Sequence, residues 1–149
     1  MNEEIEELLD REELILASKQ KRSIAFMIDE IVLSILSMFI LWDKMANLET
    51  YEEILLGLQP YIFYTFALKI IYHTFFLMYY GATPGKMVMK IQVIELSGLS
   101  HLSFFQALNR AVVRVISEVV FYAGFLWGLL DPTSQTWHDK TARTIVVDV

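Results

Sequence analysis

Six ionisable residues stand inside long apolar stretches of this 149-residue chain: Asp29, Glu30, Lys69, His73, Arg114 and Glu118. A charge at the centre of a single helix in hydrocarbon costs roughly 2.5–3.5 kcal/mol on insertion scales, so such residues turn toward one another or toward a watery path. Their spacing agrees with that. Glu30, Ser34 and Ser37 lie on one helical line, as do Thr65, Lys69 and His73 on a second and Arg110, Arg114 and Glu118 on a third. Arg22 and Asp29, two turns apart, share a face of the first helix.

With a rise of about 1.5 Å per residue, Asp29, Glu30, His73 and Glu118 fall at a common depth of ~10 Å, with Lys69 one turn deeper and Arg114 one turn shallower. Two kinds of chemistry fit. Buried ion pairs, Asp29 or Glu30 with Lys69 and Arg114 with Glu118, would fix helix register and nothing more. A cation or proton site is the other, because three carboxylates against Lys69 and Arg114 leave one acid unbalanced beside His73. An unbalanced acid in low dielectric holds a proton or takes up a cation. On that reading Asp29 is the principal carrier, Glu30, His73 and Glu118 tune it, and Lys69 is a competing internal cation.

The elements that must position these groups are three apolar runs, Ile24–Trp42, Tyr61–Tyr80 and Ala111–Leu130. Each is about twenty residues long, enough to cross ~30 Å of hydrocarbon, and a domain this small has too little chain to hide three such helices from water. The expected fold is therefore an all-α membrane protein, a small bundle of two to three transmembrane helices. The first run is expected to be a retained span, since it is longer than a signal core and follows seven acids in the first 22 residues. The third is either a plain span or a broken, re-entrant segment with its break at Gly124 and Gly128. Met89–Glu95 and Thr144–Val149 read as short strands. If they pair, the C-terminal tail lies on the same side as residues 81–110.

Residues 1–20 read as one acidic amphipathic helix, an arm with Ile5, Leu8, Leu9, Ile15 and Leu16 on one face, broken by Glu12; residues 21–149 form the membrane domain. The arm is expected either to lie solvated at the membrane or to dock a soluble or membrane partner. Lys and Arg cluster on the N-terminal side (Arg11, Lys19, Lys21, Arg22) and in the second connection (Lys86, Lys90, Arg110), whereas the first loop has Lys44 alone among acids. This asymmetry places the N-terminus in the cytoplasm. Gly81-Ala-Thr-Pro84-Gly85-Lys86 has the wrong spacing for a phosphate loop, and Met87 replaces the metal-binding hydroxyl, so its glycines and proline are read as a tight turn.

Other classes are disfavoured. No basic stripe points to nucleic acid, the chain has no cysteine for disulfides or thiolate metal sites, and no nucleophile–base pair or metal cluster is visible. Neither an enzyme nor a cofactor is expected, and His138 is read as an anchor of the tail.

Arg22 and Asp29 in Lys21-Arg-Ser-Ile-Ala-Phe-Met-Ile-Asp29, followed by Asp139 in Trp137-His-Asp-Lys-Thr-Ala-Arg-Thr-Ile-Val-Val147, resemble the signature of the RDD family of small bacterial membrane proteins. Gly81–Lys86 and the pair Arg110 and Arg114 match further family positions. The resemblance spans residues 21–147. It departs at Glu30, where an apolar residue is common, and at Arg143, where a glycine is. It implies a multi-pass protein of the bacterial inner membrane, with transport, including sodium–proton exchange, as the expected activity. Three short spans enclose little, so a pathway implies a homo-oligomer. A non-transporting scaffold or assembly factor is the rival class. The second aspartate, Asp139, is expected at the membrane surface within reach of Arg22, Arg110 or Lys86, either as a structural tie or as a gate.

Overall fold

The computed structural model describes residues 2–97 and 102–149; Met1 of the arm and residues 98–101 of the second connection lie outside the described residues. The chain runs α1 (Asn2–Arg11), α2 (Lys19–Ile40), α3 (Trp42–Met45), α4 (Tyr51–Leu58), a 3-10 turn (Gln59–Tyr61), α5 (Ile62–Tyr80), α6 (Pro84–Val88), β1 (Ile91–Glu95), α7 (Phe104–Val119), α8 (Ala123–Leu130), α9 (Trp137–Thr141) and β2 (Thr144–Asp148).

Among the described residues two helical segments are long and apolar enough to cross a membrane: Lys19–Ile40 and the 30-residue run Tyr51–Tyr80. Ser18 starts the first by accepting from the Lys21 amide. The second begins ten residues before the Tyr61 expected from the apolar run. Thr50 and Glu53 close a capping box there, and Pro60 falls in the 3-10 turn, which carries the axis onward. Their outer faces are bare hydrocarbon, with Phe39, Phe63 and Ile71 all more than 60% exposed. A surface of this kind is stable only against lipid or another apolar partner.

The third segment is broken. α7 and α8 meet at 101°. The break is not at the glycines. Phe121 and Tyr122 carry the positive φ angles, 51° and 58°. Gly124 and Gly128 lie inside α8, where their missing side chains admit contact: a Cβ on Gly124 would sit 2.6 Å from Ser117 Oγ, and one on Gly128 2.7 Å from Thr136 Cγ2. A glycine that looks like a hinge in sequence is here a packing surface.

β1 and β2 pair antiparallel, Ile91 opposite Asp148 and Glu95 opposite Thr144. The C-terminal strand therefore shares a side with the second connection. The arm joins them. Leu16 bridges Val147, the Ala17 amide donates to the Val146 carbonyl, and Ile5 is buried with Leu8, Leu9 and Leu14 against Ile94, Ile145 and Val147. The apolar face of α1 is thus covered by the chain's own sheet, and Glu6, Glu7 and Asp10 on its other faces are exposed.

Arg143, just before β2, has φ 51°. The left-handed region costs a side chain about 1–2 kcal/mol, part of which glycine returns through its freer unfolded chain. Arg143→Gly should therefore stabilise the protein by roughly 0.5–1 kcal/mol. Thermal unfolding in detergent checks this, and a lower melting temperature for the variant would contradict it.

Candidate functional site

Asp29 sits on the buried face of α2, fully excluded from solvent. No cation meets it. Its carboxylate accepts from Tyr72 Oη at 3.0 Å, Thr83 Oγ1 at 2.5 Å and the Gly85 amide at 2.9 Å. Three donors satisfy most of a carboxylate's acceptor sites, and the amide lies in the first turn of α6, where the backbone favours negative charge. The turn exists to bring them there. Gly81 ends α5 at φ 65°, Pro84 opens α6, and Gly85 lets the backbones touch: a Cβ would lie 2.1 Å from the Ala25 carbonyl oxygen. Asp29 therefore clamps the α5–α6 turn onto α2.

Asp139 is the second buried carboxylate, and cations do surround it. Arg22 of α2 bonds one oxygen, and Arg110 of α7 lies 2.6 Å from the other. Thr136 adds its amide at 2.9 Å and its hydroxyl at 2.8 Å. Burial opposes the charge on Asp139, but the guanidinium groups of Arg110 and Arg22 outweigh it and hold the carboxyl well below the usual range. Arg22 also donates to the Ser134 carbonyl, and Arg110 to Thr144 Oγ1. One carboxylate thus ties α2 and α7 to the tail. His138 packs its ring on Phe125, with centroids 5.2 Å apart, and contacts Thr136 Oγ1 at 2.9 Å. Burial, and then the neighbouring arginines, keep it neutral against the pull of Asp139.

The remaining charges form a separate cluster within the bundle. Lys69 donates to Glu30 at 2.8 Å and to Glu118 at 2.5 Å. Arg114 lies 3.5 Å from each of the same two acids and stacks over Phe26 and Phe125. Two acids meet two bases, so this group is balanced. The unbalanced acid expected from the sequence is Asp29, and three neutral donors surround its carboxylate. His73 is buried beside Tyr72, its ring edge-on at 5.2 Å, and its Nε2 has no hydrogen-bond partner.

The structure therefore brings Glu30, Lys69, Arg114 and Glu118 together and places Asp29, His73 and Asp139 elsewhere. The ties between Glu30 and Lys69 and between Arg114 and Glu118 follow the expected helical lines. Tyr72, Thr83 and Thr136 were missed; polar residues beside turns were the only signal for the last two. Among the described residues no cluster of three or more His, Cys, Asp or Glu could hold a metal ion.

A family model described as the RDD family matches residues 16–143. Two curated relatives, each called "Proline-rich antigen homolog", come from the CDC 1551 / Oshkosh and ATCC 25618 / H37Rv strains of Mycobacterium tuberculosis. Each is 29% identical over 69 residues, which is 46% of this chain and 29% of the relative. The chain thus spans less than a third of the length of the curated relatives it matches. No solved structure is a significant match.

Removing one partner from a buried ion pair costs about 3–5 kcal/mol, so Asp139→Asn should destabilise the protein by that order at neutral pH. The sign with pH follows from the lowered carboxyl. Its stabilisation is present above the unfolded value of about 3.9 and is lost as pH falls through the lower folded value. The gap between wild type and Asp139→Asn should therefore narrow progressively as pH falls below about 4 in thermal unfolding scans. A gap that stays constant over that range would contradict the assignment.

Proposed function

The chain belongs to the RDD family, and on that premise we propose that it exchanges protons or a small cation across the bacterial inner membrane. The exchanging groups are Glu30, Lys69, Glu118 and Arg114. The single observation that carries this reading is Lys69, an ammonium held between carboxylates of two different helices within the spans. Such a group offers one proton-binding site that two helices share. A proton on Glu118 releases Lys69 to Glu30 alone, and loss of that proton restores the shared bridge. Asp29 is not assigned the carrier role, because its donors leave little capacity for another ligand.

Orientation is part of the proposal. Arg11, Lys19, Lys21, Arg22, Lys86 and Lys90 belong to the arm, the first turn of α2 and the second connection, whereas the opposite loop has Lys44 among four acids. The positive-inside bias supports a cytoplasmic arm, sheet and tail. In a chain with no native cysteine, Ala46→Cys should react with an impermeant thiol reagent on intact cells, and Val149→Cys only after permeabilisation. Equal labelling of both on intact cells would contradict this.

Transport is tested in proteoliposomes carrying a pH or sodium gradient. Wild type should dissipate the gradient, and Glu118→Gln and Lys69→Met should each slow it at least about tenfold. Detergent melting curves must show those variants folded. Asp29→Asn should lower the yield of folded protein yet keep the exchange rate per folded molecule. A wild-type rate equal to that of empty vesicles would defeat the proposal and favour a non-transporting scaffold.

A further inference from the structure

A cavity of about 240 Å³ opens between α2, the α6 turn and α8. Its charged lining is of one sign. Lys19, Arg22, Lys86, Arg110 and Arg114 reach it, with no Asp or Glu beside them. Arg22 and Arg110 are compensated from behind by Asp139, and Arg114 by Glu30 and Glu118. Lys86 and Lys19 have no carboxylate partner among the described residues. Lys86 donates to Thr83 Oγ1 at 3.4 Å, and Lys19 donates to the Leu129 carbonyl. Buried His138, which also lines the cavity, leaves its Nδ1 without a partner.

The rest of the wall is apolar. Phe26 and Phe125 form the inner part, flanking the Arg114 guanidinium. Met27, Leu126 and Leu129 line the outer part and are each more than half exposed, continuous with the lipid-facing surface. A cationic end with an apolar exit beside lipid fits a ligand that is an anion at one end and hydrocarbon at the other.

We infer that this cavity binds the phosphate headgroup of an anionic lipid, with Lys86, Lys19 and Arg114 toward the phosphate and the acyl chain leaving past Met27, Leu126 and Leu129. The site shares Arg114 with the Glu30–Lys69–Glu118 cluster, but its test reads lipid binding rather than flux, so either can fail without the other. Burial, reinforced by Arg114 and Arg110 and only partly offset by Asp29, pushes the Lys86 ammonium down to about 7. An incoming anion would relieve this crowding of positive charge.

Titration calorimetry on the full-length chain in neutral detergent tests the inference, with dihexanoyl phosphatidate, dihexanoyl phosphatidylcholine and inorganic phosphate as probes. Phosphatidate should bind at least about tenfold more tightly than either of the others, because it joins the charge to the chain without choline's opposing charge. Lys86→Gln removes an unpaired cation. Ser23→Glu places a carboxylate at the cavity from an exposed position of α2. Each should weaken phosphatidate binding by about tenfold or more while melting like wild type, and Lys44→Gln in the far loop should bind normally. Phosphatidate binding no tighter than phosphatidylcholine would overturn the inference. So would undiminished binding in whichever of the two variants folds. Inorganic phosphate binding as tightly as phosphatidate would overturn the lipid assignment.

Discussion

A carboxylate shut away from water must be met by enough donors to replace its hydration, and the rest of this molecule is arranged around meeting that demand at Asp139. Arg22 comes from α2, Arg110 from α7, and Thr136 from the segment that leads into α9. None of these elements is close to the others in sequence. Their convergence fixes the first membrane helix, the broken third segment and the tail in one arrangement, on which β2 can then pair with β1 and α1 can cover the sheet. Buried ion pairs are weak evidence for stability by themselves, because desolvation offsets attraction. What this one supplies is specificity: few other packings of these helices would leave the carboxylate paired.

Asp29 solves the same problem by another route. Its partners are a phenol, a hydroxyl and a backbone amide, all from α5 and the turn after it. The two signature aspartates thus divide the work, one holding the α5–α6 turn to α2 and the other holding the tail to α2 and α7. This division leaves Glu30, Lys69, His73, Arg114 and Glu118 as the ionisable groups of the apolar stretches not committed to joining a turn or the tail, and of these only His73 stands outside the ion-paired cluster. Arg114 is the link between them and the cationic cavity, since its guanidinium touches the acids on one side and lines the cavity on the other.

Much of the fold could be read from the sequence, because span length and β-branched strands are local signals. Ile24–Trp42 lies largely within α2, and the strand readings around Met89–Glu95 and Thr144–Val149 contain β1 and β2. The misses are non-local. Gly124 and Gly128 suggested a break, yet the chain turns at Phe121 and Tyr122, and the glycines serve contact with Ser117 and Thr136. The helix expected over residues 1–20 ends at Arg11, beyond which Ile15 is exposed and Leu16 bridges Val147, because burying Ile5, Leu8 and Leu9 depends on β1 and β2 having met first. At the site, helical spacing aligned Glu30, Lys69, Arg114 and Glu118 correctly. It could not show that Asp29 faces away from its neighbour Glu30 toward a turn more than fifty residues later.

The Arg22–Asp139 tie is open to direct measurement by a double-mutant cycle on unfolding free energy in detergent, using Arg22→Gln, Asp139→Asn and the pair. If these groups hold the helices and tail together, the two losses overlap, with a coupling of about 2–3 kcal/mol. Losses that add within about 0.5 kcal/mol would show two independent residues, and the convergence of α2, α7 and the tail on one carboxylate would be refuted.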